Sequence, residues 1–167
     1  TKSGSQGTSS ISYDFQYSIN SLARRPELLN SQEYLTQMKE ADPTFTDVNI
    51  RELISNGVWD GVSSTDWYDV AFNASPASRH TVTFQGANDK GSYFLSLNNL
   101  YDNGIIREDR DTYKRLSVML NADYKIKPWL KVGTTANYAN YTSKAISDGS
   151  GGTSYVSMIA TVMTLAP

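Results

Sequence analysis

The sequence has no cysteine and only one histidine among its 167 residues. The absence of cysteine excludes disulfides, thiolate metal sites and cysteine nucleophiles. One histidine, His80, argues against a histidine-rich metal site or a Ser-His-Asp triad. The 15 basic and 17 acidic residues give a net charge of −2. The sequence therefore lacks the excess of basic residues that is typical of a nucleic-acid-binding protein. We therefore predict no cofactor and no nucleic-acid partner. Only carboxylate-based catalysis remains, and no Asp/Glu pair has a spacing that singles it out, so we predict no enzymatic activity.

Long apolar runs are also missing. No stretch approaches the ~20 apolar residues that a transmembrane helix needs. A membrane-spanning β-strand needs only about 9–11 residues with every second one apolar, a pattern that average composition hides. The composition is therefore compatible with a membrane protein that crosses the bilayer with β-strands.

What the sequence does contain is alternation. In residues 11–20, the odd positions are apolar or aromatic and the even positions are polar, which predicts a β-strand. Four later segments repeat this pattern with turn residues between them. The predicted strands lie near 10–20, 80–87, 92–102, 113–125 and 129–141.

The connections alternate between long and short. A loop at 21–79 and another at 142–167 contrast with turns of three or four residues, as in outer-membrane barrels with short periplasmic turns and long extracellular loops. Within 21–79, Asn30 and Glu33 form a capping-box pattern that predicts a helix over 31–41. A second short helix is predicted around 49–56, ending at Gly57.

Two fold classes fit these patterns. A soluble β-sandwich is one, because any half-buried antiparallel sheet alternates. Strands of 11–13 residues and aromatic residues near strand ends favour a transmembrane barrel. Five strands cannot close a barrel, so we predict that residues 10–167 are the first part of a larger all-β, antiparallel barrel, with short helices in its extracellular loops.

Several short motifs occur in a collinear order that resembles a known family. They are residues 1–4 before the first strand, the Thr-Asp-Trp stretch at 65–72, and the segments 80–86, 93–96, 101–106 and 129–133. Together they resemble the SusC/RagA-type TonB-dependent outer-membrane transporters of Bacteroidota. On this resemblance, residues 1–9 are the linker from the plug domain to the barrel.

The resemblance implies a barrel of about 22 strands in outer-membrane lipid. It implies uptake of oligosaccharides or peptides together with a SusD-like surface lipoprotein. Energy would come from the TonB complex, through parts of the protein that this chain does not include. A soluble or surface-exposed carbohydrate-binding β-domain that uses Trp59 and Trp67 is the alternative function.

Candidate contact residues fall into two groups. In the outer loop, aromatic rings and carboxylates suit capture of a solute or docking of a partner; they are Trp59, Asp66, Trp67, Tyr68 and Asp69. Anchoring of the loop onto the barrel rim by Trp67 and Phe72 is the favoured alternative, because so long a loop needs an apolar nucleus. Lumen-facing candidates are Asp14, Gln16, Asp123 and Asn137.

The acidic cluster of Glu108, Asp109 and Asp111 is a weak candidate for a metal site, since hard cations prefer several oxygen ligands. Neutralisation of these acids by Arg107 and Arg110 in a solvated loop is the favoured interpretation, because no metal-loop spacing is present. We predict no metal. His80 is predicted to be a polar residue at the membrane interface.

Overall fold

The computed structural model describes residue 7, residues 9–146 and residues 158–167. Most of the predicted linker at 1–9 and the part of the 142–167 loop at 147–157 lie outside the described residues. The chain divides into two compact units, Thr1–Ser21 with Ala74–Ala145 (the sheet unit) and Leu22–Asn73 with Ile146–Pro167 (the loop unit).

The sheet unit is one antiparallel sheet of five strands in sequence order. The predicted fold class is confirmed. The strands are β1 (Ser9–Asn20), β2 (Ser75–Asn88), β3 (Gly91–Asn103), β4 (Thr112–Lys127) and β5 (Leu130–Ser143). Each has 12 to 16 residues, well above the mode of about 5–6 in globular proteins.

β2 begins at Ser75, five residues before the predicted start near 80, so the long connection is shorter than 21–79. The sequence does not indicate this earlier start, because Pro76 has no backbone N–H to donate to a strand ladder and therefore argues against a strand. The structure accommodates it, since Pro76 lies opposite Ile19 of β1 and the ladder to β3 begins only at Ala77. β4 and β5 each run two residues past their predicted ends near 125 and 141.

Register divides the side chains between two faces. Because side chains alternate along each strand, the odd positions of β1 and their cross-strand partners all lie on one face, the apolar face. Its main side chains are Ile11, Tyr13, Phe15, Tyr17, Ile19, Val82, Phe84, Tyr93, Leu95, Leu97, Leu116, Val118, Leu120, Tyr124, Val132 and Tyr138. The opposite, polar face carries mostly Ser, Thr, Asn, Gln, Asp and Arg.

The apolar face is exposed. Ile11 is 72% exposed, and Phe15 is 53% exposed in the middle of β1. In the described part of the chain, the buried hydrophobic side chains of the sheet unit are Ala77 and Phe94. The sheet therefore does not build a dry core of its own on its apolar face.

Gly86 allows a close contact within the apolar face. A Cβ at this position would lie 2.7 Å from the hydroxyl oxygen of Tyr93, its partner on β3. The same hydroxyl lies 3.0 Å from Ser9 Oγ on β1. The tyrosine thus crosses β2 and links β3 to β1, which requires the absence of a side chain at Gly86.

The loop unit contains the helices α1 (Ser31–Ala41), α2 (Asp47–Ser55), α3 (Trp67–Ala71) and α4 (Met158–Thr164). The predicted α1 and its capping box are confirmed. After α2, Gly57 adopts a positive φ of 69°, which glycine tolerates without a Cβ clash. No helix among the described residues is long and apolar enough to cross a membrane.

Replacing Asn30 by Ala should destabilise α1 by about 1 kcal/mol, because two helix amides lose their acceptor. Asn30 Oδ1 accepts from Gln32 N and Glu33 N, both at 3.0 Å. The measurement is amide hydrogen exchange of residues 32 and 33 in the full-length protein. Asn30→Ser is the matched control, since serine caps equally well; equal exchange in both variants would contradict the prediction.

Candidate functional site

The four predicted lumen-facing residues lie on one face of the sheet. Asp14 pairs with Thr81 near mid-strand, and Gln16 pairs with Arg79 nearer the end of the sheet that carries the long connections. Asn137 pairs with Met119 near mid-strand, and Asp123 pairs with Gly133 near the short-turn end. The register therefore brings all four side chains to the polar face, spread along its length.

Asp123 is held in place by its neighbours. One carboxylate oxygen accepts a hydrogen bond from Ser92 Oγ, and the other lies 3.1 Å from Lys131 Nζ. Ser92 lies directly opposite Asp123 on β3, and Lys131 lies on β5, two residues from Gly133, the partner of Asp123 on that strand. Sequence reasoning missed both, and the signal was available only once the register aligned Asp123 with these strands.

A concave region of about 680 Å³ lies on the polar face. Phe94, which is buried, and Met119 contribute apolar surface to it, whereas Asn98, Asn137 and Arg115 contribute polar groups. Asn98 Nδ2 donates to Thr81 Oγ1 at 2.7 Å. The mixture of apolar surface and amide groups is typical of a surface that contacts polar solutes.

In the loop unit, Arg25 bridges two predicted contact residues. Its guanidinium lies 2.8 Å from Asp69 Oδ1 and 3.3 Å from Asp66 Oδ2. The hydrogen bond that Arg25 donates to Asp69, and then the negative charge of Asp66, hold the pKa of Arg25 above its usual value. Asp66 also caps α3, since its Oδ1 accepts from Tyr68 N at 2.9 Å. Sequence reasoning missed Arg25, which lies more than 40 residues from its partners.

The aromatic candidates differ in their surroundings. Trp67 Nε1 donates to the carbonyl of Ala166 at 2.7 Å, and Tyr68 is buried and stacked against Phe72 at 5.8 Å. Through these contacts, Trp67 and Tyr68 stabilise the loop unit. Trp59 is partly exposed, and its indole N–H donates to the carbonyl of Ser63 at 2.7 Å.

A tight turn follows Trp59. Asp60 accepts hydrogen bonds from Val62 N at 2.8 Å, from Ser63 N and from the Ser63 hydroxyl. These bonds favour the ionised carboxylate and lower the pKa of Asp60 to about 2, with the Ser63 hydroxyl as the largest cause. The turn fixes the backbone next to the Trp59 ring. Asp60 was not among the predicted contact residues.

The acidic cluster at 108–111 has partners of its own. Glu108 pairs with Arg110, whereas Asp109 accepts from Asn103 Nδ2 at 2.7 Å. Asp111 accepts from Ile106 N at 3.1 Å. Among the described residues, no group of three His, Asp or Glu side chains is arranged to hold a metal ion.

His80 lies on the apolar face among aromatic rings. Its Nδ1 is 2.7 Å from the hydroxyl of Tyr13, and its ring centroid is 4.8 Å from that of Phe15. Arg79, the neighbour in sequence, lies on the opposite face, because alternation separates adjacent residues. The histidine thus links β1 to β2.

No family model matches the chain. TonB-dependent receptor P3 of Formosa agariphila is 23% identical over 169 aligned residues, covering 100% of this chain and 15% of that protein. TonB-dependent receptor SusC of Bacteroides thetaiotaomicron is 26% identical over 151 residues, covering 89% and 14%. The predicted resemblance to SusC/RagA-type TonB-dependent transporters is confirmed.

Solved structures agree at the level of the fold. The RagAB peptide importer in its closed-closed state matches with a TM-score of 0.76 and 22% identity, covering 93% of this chain and 20% of that one. The RagAB peptide transporter matches with a TM-score of 0.73 and 22% identity, covering 87% and 19%. The five-stranded sheet therefore matches part of a TonB-dependent barrel protein, and the chain spans about one fifth or less of the length of these SusC/RagA-type relatives.

Acidification should loosen the turn at Asp60. Because its folded pKa is lowered to about 2, its stabilising bonds are fully present above about pH 4 and are lost as the pH falls through about 2. We expect amide protection at residues 62 and 63 of the full-length protein to fall over this range, after correction for intrinsic exchange.

Asp60→Asn is the matched control for this turn. Its amide oxygen can accept the same bonds but does not titrate in this range, so protection at residues 62 and 63 should not change between pH 4 and pH 2. An equal loss of protection in both proteins would mean that another group controls the turn.

Proposed function

We propose that this chain forms the first part of the barrel of an outer-membrane transporter. The observation that carries the proposal is the exposed apolar face on strands of 12 to 16 residues. Large apolar side chains such as Ile11 and Phe15 cost free energy in water, about 25 cal/mol for each Å² of apolar surface. Lipid removes this cost, and about 9–11 residues per strand are enough to cross the membrane.

In this proposal, the polar face lines the interior of the barrel. Asp14, Gln16, Asp123 and Asn137 then meet water, the transported solute or the plug. The edge strands β1 and β5 pair with further strands of the same barrel, because lipid cannot satisfy open backbone N–H and C=O groups. Closure requires more strands than these five.

The connections orient the barrel. The β2–β3 and β4–β5 turns contain two residues each, whereas β1 and β2 are separated by 54 residues that include α1, α2 and α3. Outer-membrane barrels have short turns on the periplasmic side and long loops outside. We therefore assign the segment between β1 and β2 to the cell surface.

The relatives support a proposal for the cargo and the partners. The solved RagAB structures are those of a peptide transporter, and the SusC-type resemblance extends the cargo to oligosaccharides. We propose uptake of one of these solutes with a SusD-like surface lipoprotein, energised by the TonB complex through other parts of the protein. Transport requires no covalent chemistry, and both matched relatives are named as TonB-dependent receptors.

Val118→Arg in the full-length protein should prevent normal membrane assembly. Val118 lies on the apolar face near mid-strand, where an arginine in lipid costs about 2–4 kcal/mol. We expect the heat-modifiable band of the folded barrel to fall severalfold in the outer-membrane fraction on unboiled gels.

Met119→Arg is the matched control, because the same residue is introduced one position along the chain, on the polar face. Its folded band should stay close to wild type. Equal loss in both variants would contradict the assignment of faces. Recovery of the wild-type protein from the soluble fraction without detergent would contradict the membrane proposal itself and favour the carbohydrate-binding domain.

Trp59 is the aromatic candidate that we assign to solute contact in the loop unit. Trp59→Ala should weaken binding of the transported solute about tenfold, because a stacking aromatic surface is lost. Binding to the purified full-length protein is measured by calorimetry. Trp129→Ala, at an exposed position in the β4–β5 turn, should leave the affinity unchanged; equal effects would contradict the assignment.

A further inference from the structure

One row of the polar face contains two arginines. The register aligns Gln16, Arg79, Leu100, Arg115 and Tyr141 across the five strands in this order. Arg79 and Arg115 lie on β2 and β4, on either side of Leu100 on β3. With neighbouring strands about 4.8 Å apart, their Cα atoms are roughly 10 Å apart, so two long side chains can meet above Leu100.

Neither arginine forms an ion pair with another residue that the structure describes. The five salt bridges within the described residues involve Arg25, Lys39, Arg110 and Lys131, but not Arg79 or Arg115. The Nε of Arg115 donates to Ser117 Oγ at 2.9 Å, a neutral acceptor.

The acids of the neighbouring rows do not neutralise this pair. Asp102 lies in the next row towards the end of the sheet with the long connections. Its carboxylate accepts a hydrogen bond from Asn20 Nδ2 at 2.7 Å. Asp14, one row the other way, pairs with Thr81 across the strands. Neither carboxylate is within ion-pair distance of an arginine among the described residues. Two exposed guanidinium groups thus keep their charge available for another anion.

Aromatic surface accompanies the charge. Tyr141, at the end of the same row, is exposed and stacks on Tyr113 of β4 with ring centroids 6.1 Å apart. Arg115 also borders the 680 Å³ concave region that contains Phe94 and Met119. The row therefore offers two guanidinium groups next to aromatic and apolar surface on the polar face.

The row lies close to one end of the sheet. Arg79 is four residues from the start of β2 and nine from its end at Asn88, or about 13 Å and 30 Å at 3.3 Å per residue. The nearer end carries the long connections, which the proposed function assigns to the cell surface. An incoming solute would meet this row before the rest of the polar face.

We infer that Arg79 and Arg115 bind a carboxylate of the transported solute, such as an acidic side chain or C-terminus of a peptide or the acid group of a uronate. This inference rests on the proposed function and specifies the charge of its solute. Guanidinium groups match carboxylates through paired, charge-assisted hydrogen bonds. Tyr141 supplies the stacking surface for the adjacent part of the solute.

The test compares acidic and neutral probes on the full-length protein purified in detergent. One pair is a glutamate-containing peptide and its glutamine analogue; the other is a uronate oligosaccharide and a neutral oligosaccharide of equal length. We expect wild-type protein to bind the acidic member of at least one pair at least tenfold more tightly. Arg79→Gln and Arg115→Gln should each remove most of this preference.

Lys114→Gln is the matched control. Lys114 is the adjacent cation on the apolar face, where its ammonium lies 5.3 Å from the centroid of Tyr101, and its loss should leave the preference unchanged. A preference that survives in the Arg79→Gln/Arg115→Gln double variant overturns the inference. So does a wild-type protein that shows no preference for either acidic probe.

A third result would also overturn it. If the arginine variants lose heat stability and keep their solute preference, the pair binds an acidic group of the protein's own interior, such as the plug. Outer-membrane fractionation separates this inference from the proposed function. A heat-modifiable outer-membrane protein without solute preference contradicts only the arginine assignment, whereas a protein absent from that membrane contradicts both.

Discussion

The register of the antiparallel backbone ladders is the constraint on which the sheet depends. Because side chains alternate, each ladder fixes the face of every residue in both strands, and a shift by one residue would exchange the faces. Tyr93 reaches across Gly86 to Ser9, and Tyr13 contacts His80, so side chains as well as backbone groups hold β1, β2 and β3 in this register. The separation of apolar from polar residues follows from it.

The same register gives the candidate site its composition. Residues far apart in sequence, such as Asp123, Ser92 and Lys131, become neighbours because their strands align. In the loop unit, side-chain contacts outside any sheet bring distant residues together: Arg25 pairs with Asp66 and Asp69. Asp60 fixes a turn by accepting backbone hydrogen bonds. In both units these acids have internal partners, whereas Arg79 and Arg115 on the polar face form no ion pair with any described residue.

Local signals made much of the fold predictable. Strict alternation in 11–20 and the capping pattern of Asn30 with Glu33 indicated β1 and α1, since each depends on residues a few positions apart. The start of β2 was not predictable, because Pro76 is compatible with a strand only where the ladder to β3 has not begun. The partners of Asp66 and Asp123 were missed for a related reason: long-range pairing carries no short-range pattern.

The two-residue turns give the two ends of the sheet different tolerance to change. In the β2–β3 turn, the side chain of Asn88 accepts from the amides of Lys90 and Gly91, so an inserted residue would break these bonds and displace the register. The opposite end joins its strands through longer segments, where added residues cost little loop entropy. New recognition surfaces can therefore arise by insertion at one end alone, and an engineered epitope or affinity tag belongs there too.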